Sequence, residues 1–472
     1  MWPAKLPAYL PPLHPSSDYI EDENRKRDIT QLIQKLWQLE RPVTHCPCPN
    51  PVSITRRDLG MLKTRAYIPG PKGDGNRFLL LMGRYGGDQH LPFSAMIDRR
   101  MRMFSVPVIA AESFFDGTLI DGELVWEYHP PTEKPRMTFL SFDLIALQGE
   151  SMVRRPYIER LQALQRHISL PDDQDIMHDP DKWNETMDKL AEEWKIVCVG
   201  NEYCMRFALK KFVDIKSLSS LWSMRSNLLY ACDGIVLTPN DDPVRVGTHR
   251  HMFKVKIHHT IDLKLVYRGG EVKWLWFDER LKQDRECEGT MQVQGVNAPC
   301  VLWCNSDHPI IHQWITTQKR KGRANPHIIV ELVIRFDEPC SSSSSSPSSS
   351  SLSLSPTLAP PAPSPQTVAP AYTFDFMGSG FEWTSDASLL DPAPVPPVPL
   401  TSVPPASPLL PLKVMAEPMR LRFDKSHCNT RSTVISTIQN LAENVTVEEI
   451  IQMVESDPLK FPSCIIQSGT GR

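Results

Sequence analysis

The stretch from Cys340 to Pro411 limits every fold open to this chain. It begins CSSSSSSPSSSSLSLSPTLAPPAPSPQTVAP and ends DPAPVPPVPLTSVPPASPLLP, with too few large apolar side chains to offset the entropy of ordering them. A disordered insert is expected there. Residues 412–472 hold only one strand-like segment, LKVMAEPMRLRFDKS, and a helical tail, TVISTIQNLAENVTVEEIIQMVES. That is too little for a domain, so the insert interrupts a domain whose first half precedes it. Within it, YTFDFMGSGFEW carries Tyr372, Phe374, Phe376, Phe381 and Trp383. Composition leaves two readings open, a short docking motif or an aromatic patch of linker.

The preceding residues, 51–340, alternate strand-like runs with helical ones. RFLLLMG, AMIDRRMRMFSVP, TLIDGELVWEY, MTFLSFDLIAL, DGIVLTP, HMFKVKI and HIIVELVIRF read as strands, RRPYIERLQALQRHI and DKWNETMDKLAEEWK as helices. The pattern is α+β. No apolar run approaches a membrane span, and the first residues, MWPAKLPAYLPPLHP, lack the basic and apolar regions of a secretory signal. An intracellular protein without a membrane partner is expected. A formal net charge of -3 gives no global positive field for nucleic acid, so any such contact is local. Eleven scattered cysteines, an odd number, fit reduced thiols better than a disulfide framework.

Lys72 heads the turn KGDGNR, where Gly73, Asp74 and Gly75 supply backbone freedom. Alone it reads as a solvated turn lysine, and no Walker loop overlaps it. In TLIDGELVWEY, alternation puts Asp121, Glu123 and Val125 on one face and Ile120, Leu124 and Trp126 on the other. Lys254 and Lys256 share a face of HMFKVKI opposite Phe253 and Val255, which is repulsive unless an anion lies between them or solvent screens them. Arg420, Arg422 and Asp424 alternate in MRLRFDKS, followed by Lys425. Each pattern alone also fits a plain exposed face.

Together and in this order, the segments resemble the GTP:RNA guanylyltransferases, the mRNA capping branch of the covalent nucleotidyltransferases that also include DNA and RNA ligases. KGDGNR matches the K-x-D-G-x-R nucleophile motif, LIDGELV the D-G-E strand, FLSFDLIA the F-D motif, CDGIVLTP the D-G-[LI]-[IV] motif and FKVKIHHTIDLKL the K-x-K motif. PVSITRRDLGMLK and RLRFDKSHCN, the latter like an R-x-D-K motif with a downstream Asn, select the capping branch. The resemblance covers about residues 45–340 and 412–460. Two positions depart from the family pattern, Val255 where Trp is common and Cys428 where Pro commonly precedes the residue seen here as Asn429. Both bear on packing.

The resemblance implies an α+β nucleotidyltransferase domain of antiparallel sheets over 40–262, after an extension of 1–39. An OB-fold domain follows at 263–339 and 412–430, split by the insert 340–411, with a C-terminal helical segment at 431–472 packing back. It implies that Lys72 attacks the α-phosphorus of GTP and passes GMP to the 5′-diphosphate end of RNA, forming the 5′-5′ triphosphate cap. Attack needs an unprotonated amine, so a depressed Lys72 pKa is expected. Lys254 and Lys256 would contact the α-phosphate and Asp233 would act on the metal and leaving-group side. Arg77, Arg99 and Glu123 fall to the ribose, with Glu123 alternatively a metal ligand; Phe142 and Val236 sandwich the purine. Lys210 is the candidate donor to guanine O6, with Lys211 the other alignment. Arg422, Asp424 and Lys425 would reach the β- and γ-phosphates when the mobile domain closes. Magnesium or manganese is implied, with ligands unassigned. The partners implied are 5′-diphosphate RNA, an RNA triphosphatase, a cap methyltransferase and the RNA polymerase II tail. Two rivals share the motifs, an ATP-dependent polynucleotide ligase and a non-catalytic RNA-binding scaffold.

Three other patterns carry less. Cys300, Cys304, His308 and His312 recur every fourth residue, but on one helix the outer two lie about 18 Å apart, too far for one zinc ion. HCPC at His45–Cys48 lacks the downstream Arg of a cysteine phosphatase, position 52 being Val, so no fused triphosphatase is expected. QKRKGR, with Lys319, Arg320, Lys321 and Arg323, reads as a solvated loop, an RNA-phosphate contact or a nuclear-import signal. Nuclear location is the expectation, or cytoplasm for a virus replicating there.

Overall fold

In RFLLLMG every residue from Phe78 to Met82 is buried, because its strand is the middle of a sheet covered on both faces. The computed structural model describes residues 19–86, 90–106, 108–130, 133–168, 197–198, 205–337, 410–422, 425 and 427–464. The helical stretch DKWNETMDKLAEEWK, Asp424 and nearly all of the Ser/Pro segment lie outside them. These described residues belong to one compact unit.

The first sheet has the order β11-β8-β7-β3-β4-β5. Its strands are β3 (Asn76–Arg84), β4 (Pro92–Asp98), β5 (Met103–Ser105), β7 (Thr118–His129), β8 (Lys134–Leu147) and β11 (Arg206–Leu209), with β9 (Glu150–Ser151) on β8. A two-stranded pair joins β6 (Val108–Ile109) to β10 (Val197–Cys198). Along β3, Phe78, Leu80 and Met82 enter one core with α2 (Tyr157–Ile168), while Leu79 and Leu81 enter another. That second core is roofed by α1 (Glu23–Leu36), whose Ile29, Ile33 and Leu36 face inward. Asp22 caps α1, accepting from Asn24 N at 2.8 Å and Arg25 N at 3.0 Å. So part of the expected N-terminal extension is integral to the first core.

The second sheet has the order β1-β13-β12-β2, from β1 (Pro49–Ser53), β2 (Tyr67–Gly73), β12 (Cys232–Pro239) and β13 (Gly247–Lys256). Tyr67, Phe253 and Val255 pack behind it against α3 (Leu218–Ser223) and α6 (Val447–Ser456).

A second lobe begins at Thr260, slightly before the expected boundary. Its sheet runs β16-β15-β14-β19-β20-β18-β17: β14 (Thr260–Arg268), β15 (Glu271–Asp278), β16 (Gln283–Glu286), β17 (Thr290–Met291), β18 (Cys300–Cys304), β19 (His327–Phe336) and β20 (Leu412–Arg422). Strands β19 and β20 flank the Ser/Pro segment and pair antiparallel, so the chain resumes the same sheet after it. Helices α4 (Pro309–Arg320) and α5 (Arg431–Glu443) supply Ile311, Trp314, Val434 and Ile438 to this core. Among the described residues no helix is long and apolar enough to cross a membrane.

Three local expectations change. The run AMIDRRMRMFSVP is not one strand: Asp98 Oδ1 accepts from Arg100 N and Arg102 N, both at 2.8 Å, and turns the chain into the β4–β5 hairpin. The C-terminal tail is not one helix, since Asn444 adopts a left-handed conformation and Thr446 caps α6 through Glu449 N at 3.1 Å. The sheets are not purely antiparallel: β1–β13, β8–β11 and β18–β20 pair in parallel.

Candidate active site

Gly234 in β12 pairs with Lys72 of β2 on one side and Lys256 of β13 on the other, and Val236 pairs with Lys254. Sheet register therefore brings together three lysines scattered over the sequence. Only glycine fits at 234, because a Cβ there would lie 2.0 Å from the Val255 carbonyl oxygen. Phe253 and Val255 anchor the back of the strand, so Lys254 and Lys256 face the opposite side, into a cavity of about 630 Å³.

Lys72 Nζ donates to Asp233 Oδ1 at 2.7 Å and Oδ2 at 2.9 Å, and Lys256 Nζ lies 3.7 Å from Asp233 Oδ2. Burial pushes Lys72 toward losing its proton, but Asp233, Glu123 and Asp74 outweigh it and the pKa stands above that of an ordinary lysine. This reverses the expected depression. Burial, followed by Lys256 and Lys72, brings Lys254 down to about 8, and burial with Lys72 lowers Lys256.

The carboxylate face of β7 turns inward rather than to water, with Glu123 lining the cavity. Asp121 is fully buried against Arg77, which also donates to the Pro49 carbonyl at 2.5 Å. Glu123 holds Lys210 Nζ at 2.9 Å through Oε2 and the Gly75 amide at 3.2 Å through Oε1. Lys210 Nζ stands 4.7 Å from the Phe142 ring centroid and the Arg77 guanidinium 5.2 Å from it. Lys211 turns away to Met224 Sδ at 3.4 Å, so of the two lysines Lys210 lines the cavity. Arg99 and Val236 line it too.

From the second lobe, Arg422 Nη1 donates to Glu331 at 2.9 Å and lies 3.5 Å from Asp262, which also pairs with Lys425. Asp424 lies outside the described residues. Two features escaped the sequence reading. Arg420, noted there only for its alternation, crosses between lobes: Nη1 and Nη2 donate to Asp74 at 2.7 and 2.9 Å. Tyr157 at the head of α2 donates to the Phe142 carbonyl at 2.7 Å and sets that ring's backbone; its place near FDLIA is visible only in three dimensions. Asp143 of that motif is buried and holds Arg160 at 2.6 and 3.1 Å, a structural pair.

Among the described residues no three His, Cys, Asp or Glu side chains converge as a metal cage. Asp233 and Glu123 fit the more open arrangement usual for magnesium, in which one or two carboxylates share the ion with substrate phosphates and water.

Comparison with known proteins finds several matches. A family model, the mRNA capping enzyme catalytic domain, matches residues 16–258, more than half of the chain. The chain is similar to the mRNA-capping enzyme subunit alpha of Schizosaccharomyces pombe, 30% identical over 230 residues, 46% of this chain and 53% of that protein. It is also similar to the same subunit of Candida glabrata, 28% identical over 269 residues, 52% and 55% of the two chains. It thus spans about half the length of the curated relatives it matches. Among solved structures it is similar to a mycobacterial DNA ligase D complexed with ATP and MES, with TM-score 0.29, 11% identity, and coverage of 61% of this chain and 88% of that one.

Proposed function

The chain belongs to the mRNA capping enzyme family, and from that premise we propose that it transfers GMP from GTP, through a lysyl adduct on Lys72, to the 5′-diphosphate end of RNA. The observation that carries this reading is the convergence of Lys72, Asp233 and Lys256 at one point of a cavity, with Lys254 beside them.

In the first half-reaction the Lys72 proton passes to Asp233, which already accepts a hydrogen bond from that nitrogen. The freed amine forms a bond to the α-phosphorus of GTP as the bond to pyrophosphate breaks, leaving a phosphoramidate. Lys254 and Lys256 offset the charge spreading over the α-phosphate oxygens. Phe142 and Val236 hold the purine, Lys210 faces guanine O6, and Arg77, Arg99 and Glu123 hold the ribose. Arg422, Lys425 and Asp424 orient the departing pyrophosphate. Asp233 or Glu123 would hold a magnesium or manganese ion, which would supply neutralisation of leaving-group charge. In the second half-reaction a terminal phosphate oxygen of the RNA attacks the same phosphorus, the N–P bond breaks, and Lys72 regains a proton.

We read the second lobe as an OB-fold, with the parallel β18–β20 pair and α4 before β19 in support. The relatives' name, subunit alpha, supports assembly with a capping-complex partner such as an RNA triphosphatase, with a cap methyltransferase and the polymerase tail next in line. The basic residues Lys319, Arg320, Lys321 and Arg323 around the end of α4 support a nuclear location.

The test is incubation with labelled GTP or ATP followed by denaturation. The wild type is expected to retain GMP and Lys72→Ala to retain none. Exclusive adenylylation would favour the ligase reading, and no adduct at all a non-catalytic scaffold.

A further inference from the structure

Arg268 ends β14 on a face whose other end meets the cavity. Along that strand Ile261, Leu263 and Leu265 enter the core, so Thr260, Asp262, Lys264, Val266 and Arg268 share the opposite face. Thr260 and Asp262 line the cavity, and at about 3.3 Å per residue Arg268 lies about 26 Å beyond Thr260. There β14 meets the end of α4: Tyr267 N donates to the Pro326 carbonyl at 3.0 Å, and Lys319 Nζ stands 5.0 Å from the Tyr267 ring centroid. The chain leaves α4 in a fixed turn. Gly322 takes φ +63°, its amide donates to the Lys319 carbonyl at 3.0 Å, and the Arg323 amide donates to the Gln318 carbonyl at 3.3 Å. This turn gathers Lys319, Arg320, Lys321 and Arg323 at the end of β14 that carries Arg268, all five exposed. No Asp or Glu occurs between Asp307 and Glu331, and among the described residues none of the five cations forms an ion pair. The carboxylate facing Arg268 across its hairpin is Glu271. The helix dipole accounts for Lys319 and Arg320 in the last turn of α4, but not for Lys321, Arg323 or Arg268.

We propose that Arg268, Lys319, Arg320, Lys321 and Arg323 form a phosphate-contact surface for the acceptor RNA, downstream of its 5′ end. The proposal rests on the reading that the cavity passes GMP to RNA. An RNA whose terminal phosphate reaches Lys72 leaves the cavity as a polyanion, with one charge per nucleotide. The chain as a whole, at a formal net charge of -3, offers it no general attraction. The five cations supply that attraction locally, at the far end of a strand face that starts in the cavity. Contacts to phosphates position a strand without reading its bases, which suits an acceptor defined by its 5′ end. At about 3.4 Å per stacked nucleotide, the separation corresponds to about eight nucleotides. Shorter acceptors therefore engage the cavity alone, and longer ones engage both.

The test is fluorescence anisotropy of the full chain with 5′-diphosphate RNAs of about 4 and about 20 nucleotides over a salt series. Transfer of preformed adduct to the same RNAs, at subsaturating concentration, is measured beside it. Arg268→Gln, Lys321→Gln and Arg323→Gln combined should weaken binding of the longer RNA by roughly 10-fold or more. The same triple variant should lower the log–log salt slope by about 2, from three contacts at about 0.7 each. Transfer to the longer RNA should fall in parallel, and transfer to the shorter one should change little. Lys35→Gln, Arg41→Gln and Lys63→Gln combined remove the same charge from exposed positions of the first lobe and should change the slope far less. Equal losses for both RNA lengths, an unchanged slope, or an equal fall in the control triple overturns the proposal and leaves the cluster a solvated or import-recognised surface. Failure of the wild type to form an adduct with labelled GTP counts against the functional reading instead, because anisotropy reads the RNA surface without that chemistry.

Discussion

Lys72 Nζ lies 2.7 Å from Asp233 Oδ1, so the amine assigned to attack phosphorus is held as an ammonium by the group assigned to receive its proton. Removing that anion has two opposed effects. Asp233→Asn takes away a cause of the raised Lys72 pKa, so the rise of adduct formation with pH should begin at lower pH. It also removes the acceptor, and the plateau rate should fall by about 10²-fold or more. A pH series of single-turnover measurements separates the two.

Lys254 should be functional and costly at once. Its folded pKa, about 8, lies below the ordinary 10.5, so the charged form is penalised on folding. The penalty is complete below pH 8 and fades toward pH 10.5, as the folded group sheds its proton before the unfolded one does. Lys254→Met should therefore stabilise the chain at pH 7 by on the order of 2 kcal/mol, with the advantage shrinking above pH 8. Urea unfolding at several pH values reads this, while adduct formation should drop by roughly 10²-fold.

Glu331 carries the opposite sign. Burial raises its pKa, but Arg420 and Arg422 outweigh that and hold it at about 2, below the usual 4.5. Its contribution is present above pH 4.5 and is lost as pH falls toward 2. Glu331→Gln should cost about 2 kcal/mol at neutral pH. In the same unfolding series that difference should narrow on acidification and disappear near pH 2.

Gly234→Ala should be among the most damaging single substitutions. A methyl group 2.0 Å from the Val255 carbonyl forces β12 and β13 apart, at a cost of about 3 kcal/mol or more. Gly247→Ala is the control: φ there is +82° but nothing lies within 4 Å of the added carbon, so about 1–2 kcal/mol of backbone strain is expected. Denaturation midpoints of the two variants should rank accordingly.

Much of this site could be read in the sequence because strand alternation is local. Lys254 and Lys256 opposite Phe253 and Val255, or Asp121 with Glu123, follow from a period of two residues. What faces an alternating row does not. Arg420 and Asp74 are 346 residues apart, and nothing near either names the other. The β4–β5 hairpin was hidden for another reason: it turns on the Asp98 carboxylate without the glycine or proline that usually marks a turn. The state of Lys72 was misjudged because burial and neighbouring anions pull in opposite directions, and which prevails depends on distances the sequence does not hold.

The chain passes between the lobes twice, at residues 257–259 and again at 444–446, where α5 belongs to one core and α6 to the other. Two short crossings, rather than one, thus tie the second lobe to the first, and the Arg420–Asp74 pair adds a non-covalent tie between the same two bodies.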